Sequence, residues 1–310
     1  MSRSRQSTTA GLDPFDLADR HETQGRWAEA EIIYRELLER DDSPGLWGKL
    51  AWVRMERGDL KAALSAARTM RSRAIALRSN ALIAIASGLI GRIHHDAGRQ
   101  VLAERYYRES IAARPRTEIY VFLARLLGEQ DRSPEVVQAL LRALELQRDN
   151  AEAHLLLARC YHGRGDDDRA IRHLNEALTA RPDYRPAARL LAVLLWDLGP
   201  KGLDQVGELL ANAMERHPSD AAFRILLAFT LMLQRRPRQA GAVLEKALAD
   251  LPPDMHLALA YGYFLATDGD RPRDAERFFR QALELDADNP VAQQYYWQFW
   301  LNRDETDGGD

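Results

Sequence analysis

The chain has 310 residues, of which 46% are hydrophobic and 29% charged, a composition that excludes a disordered protein. The formal net charge of -3 argues against broad electrostatic binding to nucleic acid or to an anionic membrane. The single cysteine, Cys160, excludes an internal disulfide framework. The sequence has no secretory signal and no run of about 18 apolar residues, so we expect no membrane span and a cytoplasmic location.

The first ten residues are expected to form a flexible tail. From residue 11 onwards, apolar residues recur at helical spacing in about eight successive units, each built of two helical segments around a short polar break. The predicted units span residues 11–43, 44–77, 84–116, 117–150, 151–184, 185–220, 221–254 and 255–289. Residues 78–83 also have a helical pattern, so longer helices are expected there. Residues 290–303 are predicted to form a capping helix, followed by a disordered acidic tail over residues 304–310.

The fifth unit, residues 151–184, shows the repeated pattern most fully. Small residues stand at Ala158, Ala170 and Ala177, where two antiparallel helices need short side chains in order to pack closely. Gly165 permits a left-handed turn after the first helix, and Pro182 ends the second. One such helix pair cannot bury its own apolar face, so the unit implies neighbouring units.

This unit resembles a tetratricopeptide repeat, a helix–turn–helix of about 34 residues. The matching positions are Leu157, Ala158, Tyr161, Gly165, Ala170, Leu174, Ala177 and Pro182, and only the early aromatic is missing, where His154 stands. The resemblance extends over nearly the whole chain. It implies an all-α fold: a right-handed superhelical solenoid of about eight such units plus the C-terminal capping helix. It also implies a non-catalytic scaffold or adaptor whose concave groove, lined by the first helix of each pair, binds a partner protein or peptide.

In the family, groove-facing positions lie near two, five, nine, twelve and thirteen of each unit, and these share one helical face. In the middle units the ninth position carries Arg92, Arg125 and Arg159, and the twelfth carries His95 and His162. The guanidinium group pairs bidentately with carboxylates. A row of three therefore favours an acidic segment or a C-terminal carboxylate as the ligand. The alternative is that these arginines pair with neighbouring acids, such as Asp96 and Glu129, and are merely solvated.

The C-terminal units carry apolar residues at the groove-facing positions. These residues are Val193, Trp196, Ile225, Phe229, Met232 and Tyr263. Together with the arginines they predict a partner segment that is acidic at one end and has an apolar anchor at the other. The alternative is that this apolar row is covered by the chain's own last helix or packs between units.

The last predicted helix contains more aromatic residues than one face can bury. They are Tyr295, Tyr296, Trp297, Phe299 and Trp300. This helix either caps the array or exposes a patch for a partner or a second copy of the chain. The second reading makes Tyr296, Trp297 and Trp300 interface residues of an assembly subunit that self-associates or docks into a complex.

Catalytic and metal-binding patterns are absent from the sequence. His94 and His95 are adjacent and point to different sides of a helix, and the spacing of His154, Cys160 and His162 does not place them on one face. No phosphate-binding glycine loop occurs. We therefore predict no enzyme activity, no metal and no cofactor. RNA binding through the arginines is opposed by the interleaved acids, and the lysine and asparagine pattern of a chaperone clamp is missing.

Overall fold

The computed structural model describes residues 13–197, 199–267 and 271–307. The described chain is helical throughout, without a strand. The predicted tail of residues 1–10 lies outside the described residues. The helices are α1 (Pro14–Thr23), α2 (Trp27–Leu38), α3 (Pro44–Glu56), α4 (Leu60–Ala76), α5 (Asn80–Asp96), α6 (Gln100–Ala113), α7 (Thr117–Gly128), α8 (Ser133–Leu146), α9 (Ala151–His162), α10 (Asp167–Ala180), α11 (Arg185–Asp197), α12 (Pro200–Arg216), α13 (Ala221–Leu233), α14 (Pro237–Asp250), α15 (Met255–Thr267), α16 (Pro272–Leu285) and α17 (Pro290–Asp307).

Each odd-numbered helix packs against the even-numbered helix that follows it, and a short turn joins the two. Gly165 has the positive φ, +74°, that its place after α9 predicts. Two turns that lack glycine use the same left-handed conformation, with Asp131 at φ 57° and Arg235 at φ 60°. A side chain in this conformation costs about 1 kcal/mol, so the packing on either side of these turns outweighs the local preference.

The longer helices expected around residues 78–83 are present. Helices α4 and α5 have 17 residues each, and a turn with Arg78 at φ 51° separates them. Asp59 caps α4 by accepting a hydrogen bond of 2.9 Å from the backbone N–H of Ala62. Ser79 caps α5 in the same way, with the N–H of Leu82 at 3.4 Å.

The chain divides into two compact units, Met1–Ala153 and His154–Asp310, with the boundary inside α9. The core of the first unit includes the fully buried Tyr34, Ile90 and Ile93. The core of the second includes Leu244 and Phe279. In both, alanines at the helix crossings are fully buried, as the repeat pattern requires.

Glycines at two crossings show how tight this packing is. A Cβ atom added to Gly91 would lie 2.6 Å from Cδ1 of the buried Tyr107. A Cβ atom added to Gly262 would lie 2.9 Å from Cδ1 of the buried Phe279. Each aromatic ring therefore lies directly against the backbone of the preceding helix, which only glycine permits.

Helix α17 extends further than the sequence predicts. It ends at Asp307, beyond the expected end at residue 303, so residues 304–307, predicted to be a disordered tail, are helical. The physical reason is that no glycine or proline follows Pro290 before Gly308. Residues 308–310 lie outside the described residues. In the described part of the chain, no helix combines the length and the apolar character needed to cross a membrane.

Candidate functional site

Arg92 on α5 is held by side chains from both neighbouring odd-numbered helices. Its Cζ atom lies 4.7 Å from the ring centre of Trp52 on α3 and 5.8 Å from that of Phe122 on α7. Its nitrogens are 3.6 Å from a carboxylate oxygen of Glu56 and 4.0 Å from one of Asp96. The expected pairing with Asp96 thus occurs, at the long limit of an ion pair. Arg92 already has aromatic and acidic partners within its own chain.

His95 and Arg125, the other predicted ligand residues of the first unit, also have partners. Nε2 of His95 lies 3.0 Å from a carboxylate oxygen of Glu129, and its ring is edge-on to Tyr107. Glu129 therefore pairs with a histidine and not with an arginine. Arg125 forms an ion pair with Glu152. A ligand for these residues would have to displace or share an existing partner.

A polar network that the sequence did not predict joins α1, α2 and α3. Lys49 Nζ lies 2.8 Å from a carboxylate oxygen of Asp19 and 3.3 Å from one of Glu22, and the buried Tyr34 hydroxyl lies 2.7 Å and 2.5 Å from the same two carboxylates. Burial raises the pKa of Asp19, but hydrogen bonds from Lys49 and Tyr34 outweigh it and leave the pKa below its ordinary value. The three-residue spacing of Asp19 and Glu22 on one helical face was the available signal.

Two predicted cationic positions lie in the second unit. Arg159 on α9 is exposed and makes no ion pair with any other residue that the structure describes. His162 is held by Asp167 at the start of α10, with 2.7 Å between Nδ1 and the carboxylate oxygen. On α9 and α10, His154 and His173 meet Nδ1 to Nδ1 at 3.0 Å, so these two histidines fill the contact between the helices.

The predicted apolar residues Trp196, Phe229 and Tyr263 lie in the second unit and are half-buried. The Trp196 indole N–H donates a hydrogen bond of 2.8 Å to the buried hydroxyl of Thr230. The Phe229 ring centre is 5.9 Å from that of Tyr263, which in turn is 5.8 Å from that of Tyr295 on α17. The last helix therefore contacts the C-terminal member of the apolar row, as one of the two alternatives expected.

Helix α17 presents different residues to the core and to solvent. Tyr296 and Phe299 pack against the core of the second unit, where the Phe299 ring centre lies 5.5 Å from that of Phe279. Trp297 points away and is 63% exposed. The side chain of Trp300 lies outside the described residues. One face of the helix thus covers the core, and Trp297 stands outside that face.

A cleft of about 630 Å³ opens in the second unit beside α11, α13 and α15. Its walls include Arg189, Val193, Ile225 and His256. Val193 is 41% exposed although it is apolar. Arg189 is exposed and has no ion-pair partner among the described residues, whereas the adjacent Arg185 pairs with Asp220 at 3.1 Å. The cleft combines the guanidinium group of Arg189 and an accessible apolar wall with two aspartates that already have partners: Asp220 pairs with Arg185, and Asp254 accepts a hydrogen bond from the N–H of Leu257 at the start of α15.

Arg189 was missed because the cationic row was sought only at the ninth and twelfth positions. It stands at the fifth position of the unit that begins at Arg185, and the fifth position also faces the groove in the repeat pattern. Ile225 occupies the fifth position of the next unit and lines the same cleft. The fifth position of the repeat was therefore the signal in the sequence that could have identified Arg189.

The described residues contain no cluster of three or more His, Cys, Asp or Glu side chains that could hold a metal ion. Cys160 is half-buried, and burial raises the pKa of its thiol. A raised pKa keeps the thiol protonated and weakly nucleophilic.

Comparison with known families agrees with this architecture. Residues 15–75 and residues 129–194 match two family models that are both described as tetratricopeptide repeat. The helical pairs, the small residues at their crossings and these two matches define the class of the protein. The chain belongs to the tetratricopeptide repeat proteins.

Two known proteins are similar in sequence to parts of this chain. A 174-residue stretch, 55% of this chain and 19% of its relative, is 26% identical to the human protein named Protein O-mannosyl-transferase TMTC3. A 90-residue stretch is 30% identical to the uncharacterized protein y4yS of Sinorhizobium fredii (strain NBRC 101917 / NGR234), and it covers 29% of this chain and 49% of that one. The matches thus span less than half the length of either relative.

Among solved structures, a tetratricopeptide repeat protein from Parabacteroides merdae ATCC 43184 is similar in fold. Its TM-score is 0.55 at 16% identity, over 86% of this chain and 98% of that one. At this level of identity the likeness concerns the fold alone.

Proposed function

We propose that the chain is a non-catalytic scaffold or adaptor that binds a segment of a partner protein along its odd-numbered helices, the groove-lining helices of the repeat family. The observation that carries the proposal is the cleft of the second unit, where the exposed Arg189 and Val193 stand together. The proposed setting is the cytoplasm, where a lone cysteine stays reduced.

The chemistry of the cleft specifies the segment. Arg189 and Val193 are four residues apart on α11, so their side chains are neighbours on one helical face, roughly 6 Å apart at Cβ. Alternate residues of an extended segment are separated by about 7 Å. An acidic side chain paired with Arg189 and an apolar side chain against Val193 and Ile225 therefore fit when they lie two residues apart. Arg159, exposed on α9, is available for a further acidic side chain.

In this proposal, the predicted ligand residues of the first unit have a structural role, because they already pair within the chain. Arg92, His95 and Arg125 join neighbouring helices through Trp52, Glu129 and Glu152. These three residues stabilise the packing of the helices, and the cations Arg159 and Arg189 of the second unit bind the ligand.

The test is selection from a displayed library of extended peptides with purified protein. We expect the enriched peptides to carry an acidic residue two positions from an aliphatic or aromatic one. Their affinities are then measured by fluorescence anisotropy for the wild type and for Arg189→Glu. Charge reversal should weaken binding on the order of tenfold or more, because hydrogen bonds to charged groups contribute about 1.5–3 kcal/mol.

The matched control is Arg238→Glu. Arg238 is exposed on α14 in the same unit, lies outside the cleft, and makes no ion pair with a described residue. The Arg238→Glu protein should bind the selected peptides with the same affinity as the wild type. Equal affinities for wild type, Arg189→Glu and Val193→Gln would sink the proposal.

A second candidate function rests on Trp297. An indole ring that is 63% exposed on α17 suits an assembly subunit that self-associates or docks through this helix. Sedimentation velocity of the wild type and of Trp297→Ala tests it. A concentration-dependent dimer that disappears in the variant supports this function, and a monomer in both proteins at all concentrations leaves self-association without support.

A further inference from the structure

Helix α4 has an unusual charge composition for this chain. It contains Lys61, Arg68, Arg71 and Arg73 and no acidic residue. No aspartate or glutamate occurs from residue 60 to residue 95, although the whole chain has 46 of them and a net charge of -3. The first unit therefore has one strongly basic helix in an otherwise acidic protein.

Five polar side chains of α4 form a continuous face. The members of this basic face follow one another at helical spacing and line an open cleft of about 540 Å³, together with Leu64 and Arg73. They are Lys61, Ser65, Arg68, Thr69 and Ser72. Each of them can donate hydrogen bonds from its side chain.

The two cations of the basic face have no acidic partner. Arg71 pairs with Glu109 and Arg73 with Asp42, both at 2.6 Å. Lys61 and Arg68 make no ion pair within the described residues. Asp59, the nearest acid in sequence, is occupied as the cap of α4.

A neighbouring histidine reports the same positive environment. His94 on α5 is 1% exposed, and its pKa is lowered first by burial and then by the charges of Arg99 and Arg68. Arg99 is exposed and likewise has no described ion-pair partner. Arg71 and Arg73 are thus paired with carboxylates, whereas Lys61, Arg68 and Arg99 form no ion pair with a described carboxylate.

The shape and lining of the face indicate what class of anion fits. Single-stranded nucleic acid is bound by stacking its bases on aromatic side chains, and no aromatic residue lines this cleft. Lys61 and Arg68 are seven residues apart, which is about 10.5 Å along the helix axis. A polypeptide in the extended polyproline II conformation has three residues per turn and a rise of about 3.1 Å per residue, so every third side chain points the same way, about 9.3 Å apart.

We propose that the basic face of α4 is a docking site for an extended acidic segment of a partner protein, with anionic side chains about three residues apart. The face lies on an even-numbered helix of the first unit. It is a different surface from the cleft beside Arg189, and neither proposal depends on the other.

The test uses two fluorescein-labelled peptides of equal composition in a glycine–serine background. One carries glutamates at every third position, and the other carries the same glutamates in one block. Anisotropy is measured with the wild type and with the double variant Lys61→Gln, Arg68→Gln. We expect the wild type to prefer the spaced peptide, and we expect the double variant to bind it on the order of tenfold more weakly, with little remaining dependence on salt.

The control is the double variant Arg20→Gln, Arg114→Gln. Both arginines are exposed in the first unit without a described ion pair, so the control has the same net charge as the test variant. Circular dichroism and thermal unfolding confirm that both variants are folded. The control should bind the spaced peptide as the wild type does.

Three results would overturn the proposal. The first is that the wild type fails to bind the spaced peptide at low salt. The second is that the control loses as much affinity as the test variant, which would indicate general electrostatic attraction. The third is that a labelled oligouridine binds more tightly than the spaced peptide and depends on Lys61 and Arg68, which would assign the face to nucleic acid.

Discussion

The guanidinium carbon of Arg92 lies 4.7 Å from the centre of the Trp52 ring. On its other side, 5.8 Å away, is the ring of Phe122. The arginine therefore lies between aromatic side chains of the two neighbouring odd-numbered helices. A planar cation in this position stabilises the packing of α3, α5 and α7 by cation–π attraction as well as by contact area.

Replacing Arg92 should therefore reduce stability. We expect Arg92→Ala to lower the free energy of unfolding by about 1–2 kcal/mol and Arg92→Lys by a smaller amount, because lysine keeps the charge but not the planar group. Urea unfolding followed by circular dichroism measures both. A midpoint for Arg92→Ala equal to that of the wild type would show that the stacking contributes nothing.

Gly262 and Gly207 should respond in opposite directions to the same substitution. Gly262→Ala places a Cβ atom 2.9 Å from Phe279 and should destabilise by about 1–3 kcal/mol. Gly207, inside α12, has no atom within 4 Å of the added Cβ, so Gly207→Ala should stabilise by about 0.5–1 kcal/mol. Thermal unfolding of the two variants is the measurement. A destabilised Gly207→Ala protein would contradict the open space seen at that position.

His94→Phe should stabilise the protein, and more so in acid. Neither ring nitrogen of the buried His94 has a hydrogen-bond partner in the described part of the chain, and the ring stacks on Tyr106 at 5.5 Å, which phenylalanine can reproduce. Removing the unsatisfied polar atoms is expected to contribute about 1 kcal/mol.

The pH dependence follows from the lowered pKa of His94. Below the ordinary value of 6.5, the unfolded chain takes up a proton that the folded protein does not, so the wild type loses stability as the pH falls through 6.5. The stability difference between His94→Phe and the wild type should therefore grow from pH 7.5 to pH 5.5. A difference that stays constant over this range would show that His94 is protonated equally in both states.

Tyr34→Phe tests the network that joins α1, α2 and α3. The variant loses the hydroxyl that faces Asp19 and Glu22, and we expect a loss of about 1–2 kcal/mol at pH 7. Because the pKa of Asp19 is lowered, its contribution is present above the ordinary value of 3.8 and is lost as the pH falls below it. Chemical unfolding at pH 7 and pH 3 should show that the variant and the wild type converge in acid.

The helix pairs could be predicted because the same residue pattern recurs in each unit. A small residue at each crossing and a glycine in most turns recur at one spacing, so a position that is ambiguous in one unit is settled by the next. The turns at Asp131 and Arg235 show the strength of this register, since both adopt the left-handed conformation without glycine. The end of α17 was less predictable, because no neighbouring unit follows to fix it.

The state of each candidate site residue was harder to predict. The register indicates that Trp52 and Arg92, both ninth positions, lie near each other, but it does not distinguish a free guanidinium group from a stacked one. That difference depends on Glu56, Asp96 and Phe122, none of which is at a ninth position. The free cations Arg159 and Arg189 differ from Arg92 only in what surrounds them, and a single sequence does not give those surroundings.

The hydrogen bond from Trp196 to Thr230 makes Trp196 a natural optical probe. It fixes the indole one helical turn from Val193, with its N–H already satisfied inside the protein. A segment that enters the cleft would change the polarity around the exposed part of this ring and leave the hydrogen bond in place. In a protein whose other five tryptophans are replaced by phenylalanine, the emission of Trp196 would then follow occupancy of the cleft without an added label.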